Sequence, residues 1–217
     1  NFKKGSSKTI GVIVPAYNIP FYSIAICGIQ DYASKIGYNV MICHSNERYE
    51  TEIQSVNTLL NARVDGIIIS VARDSYKNEH IRKLKQKGIP LVMFNRVVED
   101  IKAAKVVVDD YYGAYNMVKY LIDNGCQKIA HIAGPTNLLL CANRNMGYRD
   151  ALRDHNLEIR EDYIFEGDFT RESGISIAEK LLVLDPLPDA IFCVCDAVAF
   201  GVIKTLKEHD VKIPETI

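Results

Sequence analysis

Eight short runs of apolar, mostly β-branched residues recur along the chain, and helix-length amphipathic stretches separate most of them. The runs are "IGVIV" (10–14), "NVMIC" (39–43), "GIIIS" (66–70), "PLVMF" (90–94), "KVVVD" (105–109), "KIAHIAG" (128–134), "YIFEG" (163–167) and "AIFCVC" (190–195). They are nearly continuous rather than alternating, as strands buried on both faces are. Between them apolar residues return every three or four positions. Ile26, Ile29, Ala33 and Ile36 form one stripe, and Ile53, Val56, Leu59 and Leu60 a second. Met117, Val118, Leu121 and Ile122 form a third, and Val198, Val202, Ile203 and Leu206 a fourth. Gly37, Gly88 and Gly125 follow helical stretches, where a left-handed cap is wanted. Alternation of this kind specifies βαβ units, an α/β fold with parallel strands and helices on both faces. "PLVMF" and "KVVVD" are separated by only about a dozen residues without a helical stripe, short for a right-handed crossover. Residues 95–104 are therefore expected to pass over the sheet top, and the next strand to leave the first lobe. A second lobe is expected to begin near Tyr111.

The composition excludes several partners. The 217 residues are 48% hydrophobic, enough for one large domain or two small lobes. Lys+Arg is 26 against 27 Asp+Glu, a balance that favours neither nucleic acid nor an acidic membrane as a direct partner. No apolar run approaches the roughly 20 residues that span a bilayer, and "NFKKGSSKT" has no apolar signal-peptide core. The six cysteines sit mostly inside apolar runs and read as small buried hydrophobes; Cys193 and Cys195 have the wrong spacing for a zinc knuckle. Free thiols and the lack of an N-x-S/T sequon fit a reducing cytoplasm. Neither a G-x-G-x-x-G nor a Walker loop is present, so no nucleotide-type cofactor is expected.

Polar residues collect where the apolar runs end. Phe21 and Tyr22 follow the first run, and Asn95 and Arg96 follow "PLVMF" directly. Asp109 and Asp110 follow "VVV", and Arg144 lies early on the helix after "KIAHIAG". Asp168 and Phe169 follow "IFEG", and Asp196 follows "IFCVC". Open parallel sheets bind ligands at the carboxyl ends of their strands. Carboxylates and amides that accept from hydroxyl pairs, guanidinium forks that donate to them, and aromatic plates suit a small polyhydroxylated ligand. Each residue also has an ordinary structural explanation: Asp196 as a helix N-cap, Phe21 as core, Asp109 and Asp110 as a solvated turn.

Several blocks resemble the effector-binding region of lactose/galactose-repressor-type (LacI/GalR) transcriptional regulators. They are the stretch from "TIGVIVPAYNIPFYSIAICGIQ" to "ARVDGIIIS", then "GAYNMVKYLIDNGCQKIAHIAGP", "NRNMGYRDAL", "EGDFTRESG" and "PDAIFCVCDAVAFGVIKTLKEHDVKIPETI", in that order over residues 9–217. The resemblance implies two Rossmann-like lobes of the type I periplasmic-binding-protein kind, residues 9–110 and 111–217, joined by crossing strands with an effector in the cleft. It implies that Phe21, Tyr22, Asn95, Arg96, Arg144, Phe169 and Asp196 line the pocket. Asn95 and Arg96 would clamp ring hydroxyls, Phe169 would stack on the sugar, and Asp196 would accept from it. Sugar binders of this fold often carry Asn where Ile19 stands, Asp where Asn95 stands and Asn where Cys195 stands. Residues 1–8, with "KGSSKTIG" as the junction, are expected to be the remnant of a hinge leading to a DNA-binding headpiece. The second lobe is expected to be incomplete, because "IPETI" normally leads into further strands. The implied partners are a monosaccharide or a derivative of one, operator DNA through the headpiece, and a second copy of the chain.

A transport-type solute-binding protein with the same cleft is the alternative reading. An enzyme is the third. His44, His131, Asp109 and Asp110 are its candidate groups, but G-x-S-x-G and H-E-x-x-H are both absent and no catalysis is expected. His131 reads as a packed core imidazole, and His80, His155 and His209 as solvated helix residues.

Overall fold

A computed structural model describes residues 5–75 and 77–217. The expected hinge remnant, residues 1–8, therefore lies partly outside the described residues. The chain divides into two compact units, Asn1–Val108 and Asp109–Ile217.

The first unit runs β1 (Thr9–Val14), α1 (Pro20–Lys35), β2 (Asn39–His44), α2 (Tyr49–Asn61), β3 (Gly66–Ile69), α3 (Glu79–Gln86), β4 (Leu91–Phe94) and β5 (Ala104–Val106). Its five strands are parallel in the order β2-β1-β3-β4-β5. The pleat sends alternate residues to opposite faces. Ile13, Ile67, Ile69 and Met93 pack with α2 and α3 residues such as Leu59 and Leu84. Val12, Val14 and Phe94 pack with Tyr22 and Ile26 of α1. Near the start of the chain, Asp65 accepts bonds from the Ser6 hydroxyl and from the amides of Ser7 (2.9 Å) and Lys8 (3.0 Å). These bonds, the Ser6 one foremost, hold its carboxyl below the usual range.

The second unit runs α4 (Asp110–Asp123), β6 (Ile129–Ala133), α5 (Leu139–Asp154), β7 (Ile164–Glu166), α6 (Arg171–Leu181), β8 (Ala190–Cys193) and α7 (Asp196–Glu208). Its sheet is parallel in the order β7-β6-β8. Ala130 and Ile132 face the α6/α7 side, packing with Ile177, Val198 and Leu206. Ile129 faces the α4/α5 side, with Val118, Tyr148 and Leu152.

Three expectations are corrected. "NVMIC" and "KVVVD" are not buried on both faces: β2 and β5 are edge strands, and Met41 (37%), Ile42 (39%), Val106 (66%) and Val108 (71%) are exposed. A run of β-branched residues reads the same at a sheet's edge and centre. Secondly, β5 does not leave the first unit. It pairs in parallel with β4, Phe94 opposite Val106, after a loop without a helix. The second unit starts at Asp109, near the expected Tyr111, and Asp109 caps α4 by accepting from the Tyr112 amide at 2.9 Å. Thirdly, the stripes are narrower than their periodicity suggests, with Ile36, Met117 and Ile203 exposed. Gly37, Gly88 and Gly125 do adopt positive φ, 74°, 69° and 95°.

Glycines also set the approach of the second unit's helices. A Cβ at Gly174 on α6 would lie 2.2 Å from the Val198 carbonyl of α7, and one at Gly201 on α7 would lie 2.2 Å from the Arg171 carbonyl of α6. Both obstacles are backbone, so the helices must move apart to admit a methyl group. Gly174→Ala and Gly201→Ala should each lower stability by about 1–3 kcal/mol, as overpacking does, read from urea midpoints. Gly28→Ala, where nothing lies within 4 Å of the added carbon, should not.

Candidate functional site

The strand order of the first unit reverses between β1 and β3, and polar side chains gather beyond that point. Tyr22, in the first turn of α1, is 2% exposed. Its hydroxyl lies 3.2 Å from Ser70 Oγ, just past β3, and receives a hydrogen bond from Asn95 Nδ2 at 3.0 Å. Burial, partly offset by the charge of Arg96, pushes this phenol above its usual pKa. Asn95, just past β4, takes a left-handed φ of 56°, a turn that an asparagine tolerates better than most residues. Arg96 is 5% exposed, and its amide reaches Ser70 Oγ at 3.4 Å. Its Nη1 donates to Glu47 Oε2 at 2.7 Å. Glu47 reaches it because Asn46 and Glu47 both turn left-handed after β2, with φ of 51° and 61°. The same Oε2 accepts from the Arg73 amide at 2.8 Å. Phe21 is 52% exposed and stands edge-on to Tyr22, ring centroids 5.2 Å apart.

In the second unit the reversal falls at β6, between β7 and β8. Arg144 on α5 gives Nε (2.9 Å) and Nη2 (2.7 Å) to Asp110 Oδ1, and Nη1 to the Val194 carbonyl at 2.6 Å. Phe169 follows β7 and is partly buried against the α6/α7 core. A Cβ at Gly134 would meet Phe169 Cε1 at 3.3 Å and Cys141 Sγ at 2.6 Å, so the ring lies close over the end of β6. Asp196 is the exposed first residue of α7. It is not the cap expected as its ordinary role: Cys195 holds the N-cap position, without a side-chain cap bond. Asp168 accepts from the amide (2.8 Å) and hydroxyl (2.5 Å) of Thr170, which caps α6.

Of the seven residues singled out, Tyr22, Asn95 and Arg96 thus form one bonded cluster with Ser70, and Phe21 adjoins it. In the second unit Arg144 lies in the second turn of α5, tied to Asp110, and Phe169 and Asp196 follow the ends of β7 and β8. Asp109 and Asp110 stand at the start of α4, as its N-cap and first residue, rather than in a solvated turn.

The histidines divide. His131 is a packed core residue, its Nδ1 3.0 Å from the Phe192 carbonyl and its ring stacked on Phe192. His80 is not solvated. It is 5% exposed, and its Nε2 lies 2.7 Å from Glu52 Oε1. Fully buried, Glu52 also accepts from the Ala72 amide and the Ser75 hydroxyl, both at 2.5 Å, and so braces the loop that follows Ser70. Its signal was in the sequence: Glu52 precedes Val56 and Leu59 at helical spacing, which puts a carboxylate on a buried stripe. Glu47 and Ser70 carried no such signal. Among the described residues no group of three or more His, Cys, Asp or Glu could hold a metal ion, and no helix is long and apolar enough to cross a membrane.

Burial depresses His131 from its usual 6.5 to about 4. The folded state therefore holds it neutral, while the unfolded chain protonates first as pH falls. Its contribution is full above about pH 6.5 and is lost as pH falls towards 4. The loss should amount to roughly 3 kcal/mol. Urea midpoints of the natural chain minus those of His131→Phe, taken across this window, should show that slope.

Two parallel-sheet units, each with polar and aromatic side chains near the carboxyl ends of its strands, define an α/β protein of two Rossmann-like units. The family model described as periplasmic binding proteins and sugar binding domain of LacI family matches residues 7–217, and the chain belongs to that family. It is 31% identical over 219 residues to the HTH-type transcriptional repressor PurR of Vibrio parahaemolyticus, covering all of this chain and 65% of that protein. The crystal structure of the transcription regulator CcpA of Lactococcus lactis superposes with a TM-score of 0.88 at 31% identity, over 96% of this chain and 76% of that one. The complex of the transcriptional regulator CelR with cellobiose superposes with a TM-score of 0.87 at 25% identity, over 97% of this chain and 66% of that one.

Proposed function

We propose that this chain is the effector-binding part of a cytoplasmic transcriptional regulator, and that its effector is a small sugar or sugar derivative. The observation that carries the reading is the bonded cluster of Tyr22, Ser70, Asn95 and Arg96 at the switch point of the first sheet. It fixes the Asn95 amide and the Arg96 backbone where parallel sheets take ligands, and Glu47 holds the Arg96 guanidinium. On this reading Phe21 and Phe169 cover the apolar faces of the ring. Asn95, Arg96, Arg144 and Asp196 exchange hydrogen bonds with its hydroxyls. The ligand acts by binding one arrangement of the two lobes better than another. In the whole protein, a homodimer, that shift would reposition DNA-binding headpieces on an operator of two-fold symmetry. The cellobiose held by CelR supports a saccharide, and the repressor function of the PurR relative supports a regulator over a transport protein.

Calorimetry of the full-length protein with a panel of neutral sugars tests this. One sugar should bind, and Asn95→Ala or Arg144→Ala should weaken it roughly 10- to 100-fold, the loss of one or two hydrogen bonds. No heat from any sugar, together with binding of a nucleobase or a phosphoprotein, would overturn the assignment.

A further inference from the structure

Each arginine of the proposed site is already matched by a carboxylate of its own unit. In the first unit Arg96, its side chain 4% exposed, is paired with Glu47 at 2.7 Å. In the second, Arg144 gives two N–H groups to Asp110 Oδ1, and the Asp110 side chain is 8% exposed. Neither pair resembles a loose surface contact. Glu47 is presented by two consecutive left-handed residues and is also fixed by the Arg73 amide. Asp110 lies beside the N-cap of α4, and the Arg144 it holds also donates to the Val194 carbonyl at 2.6 Å.

A guanidinium is the usual fork for phosphate or carboxylate, and it attracts an anion when its own charge is uncompensated. In the first unit Glu47 offsets Arg96; in the second Asp110 offsets Arg144, and Asp196 adds an exposed carboxylate. An incoming phosphoryl group would have to displace a buried or half-buried carboxylate, or sit beside it as a like charge. A hydroxyl meets neither obstacle, since it accepts from a guanidinium and donates to a carboxylate at once.

We propose that Glu47 in the first unit and Asp110 in the second set the charge selectivity of the strand-end surface on which each lies: they occupy Arg96 and Arg144, so that each surface takes neutral polyhydroxylated ligands and rejects phosphorylated or carboxylated ones. The proposal rests on the sugar-site reading, but its test separates the two. The full-length protein is titrated with neutral sugars, with their 6-phosphates and with inorganic phosphate alone. It is compared with Glu47→Gln and Asp110→Asn, which keep the shape of each side chain and remove its charge. In the natural protein, phosphate should raise the melting midpoint no more than chloride of equal ionic strength. In the variants it should bind, and the preference for neutral sugar over its 6-phosphate should narrow by roughly tenfold or more per substitution, the scale of one charge-assisted hydrogen bond. A gain of phosphate binding without heat from any sugar would support the charge assignment and count against the sugar reading alone. Tight phosphate or sugar-phosphate binding by the natural protein, or variants that gain no anion affinity, would overturn it.

Discussion

Parallel pairing is the constraint on which the rest of this structure depends. A parallel strand must be reached by a crossover, so every strand of a sheet ends at the same edge. Side chains far apart in sequence then meet there. Tyr22 follows β1, Ser70 follows β3, and Asn95 and Arg96 follow β4, yet they share one run of hydrogen bonds. The same logic brings Arg144, after β6, to the Val194 carbonyl past the end of β8.

The edge works as a binding surface only if it is held still. Two devices do this. Carboxylates tie the loops: buried Glu52 fixes Ala72, Ser75 and His80, and half-buried Glu47 fixes Arg73 and Arg96. In the second unit close helix contacts fix the scaffold, through glycines at positions 147, 174 and 201 that leave no room for a methyl group. Polar groups buried this way cost desolvation unless satisfied, and each of these carboxylates collects two or three donors. The cluster is therefore held by its own bonds, which on the proposed function lowers the ordering cost of binding.

Much of this was legible from residue patterns. The runs and their spacing specify the βαβ units, and the three cap glycines behave as their positions suggest. That polar residues collect at strand ends was equally plain. Burial at the sheet edges was not, because Met41, Val106 and Val108 look like core until pairing order is known. Nor was the partnering of the arginines. Arg96 announces itself by following a buried strand, but Glu47 lies 49 positions away in a left-handed turn that no local motif marks. His80 looked solvated because its partner, Glu52, sits on another helix. Long-range electrostatic pairing is a property of topology, and single-sequence periodicity does not encode it.

On the proposed function, ligand is taken at the carboxyl ends of the parallel strands around the Tyr22–Ser70–Asn95–Arg96 cluster. Backbone amide shifts of the isotope-labelled full-length protein during titration with the sugar that binds test it most directly. The largest changes are expected at Ser70, Asn95 and Arg96 in the first unit and at residues 194–196 in the second. Changes confined to the opposite edge, around Thr9, Asn39 and Gly66, would contradict it.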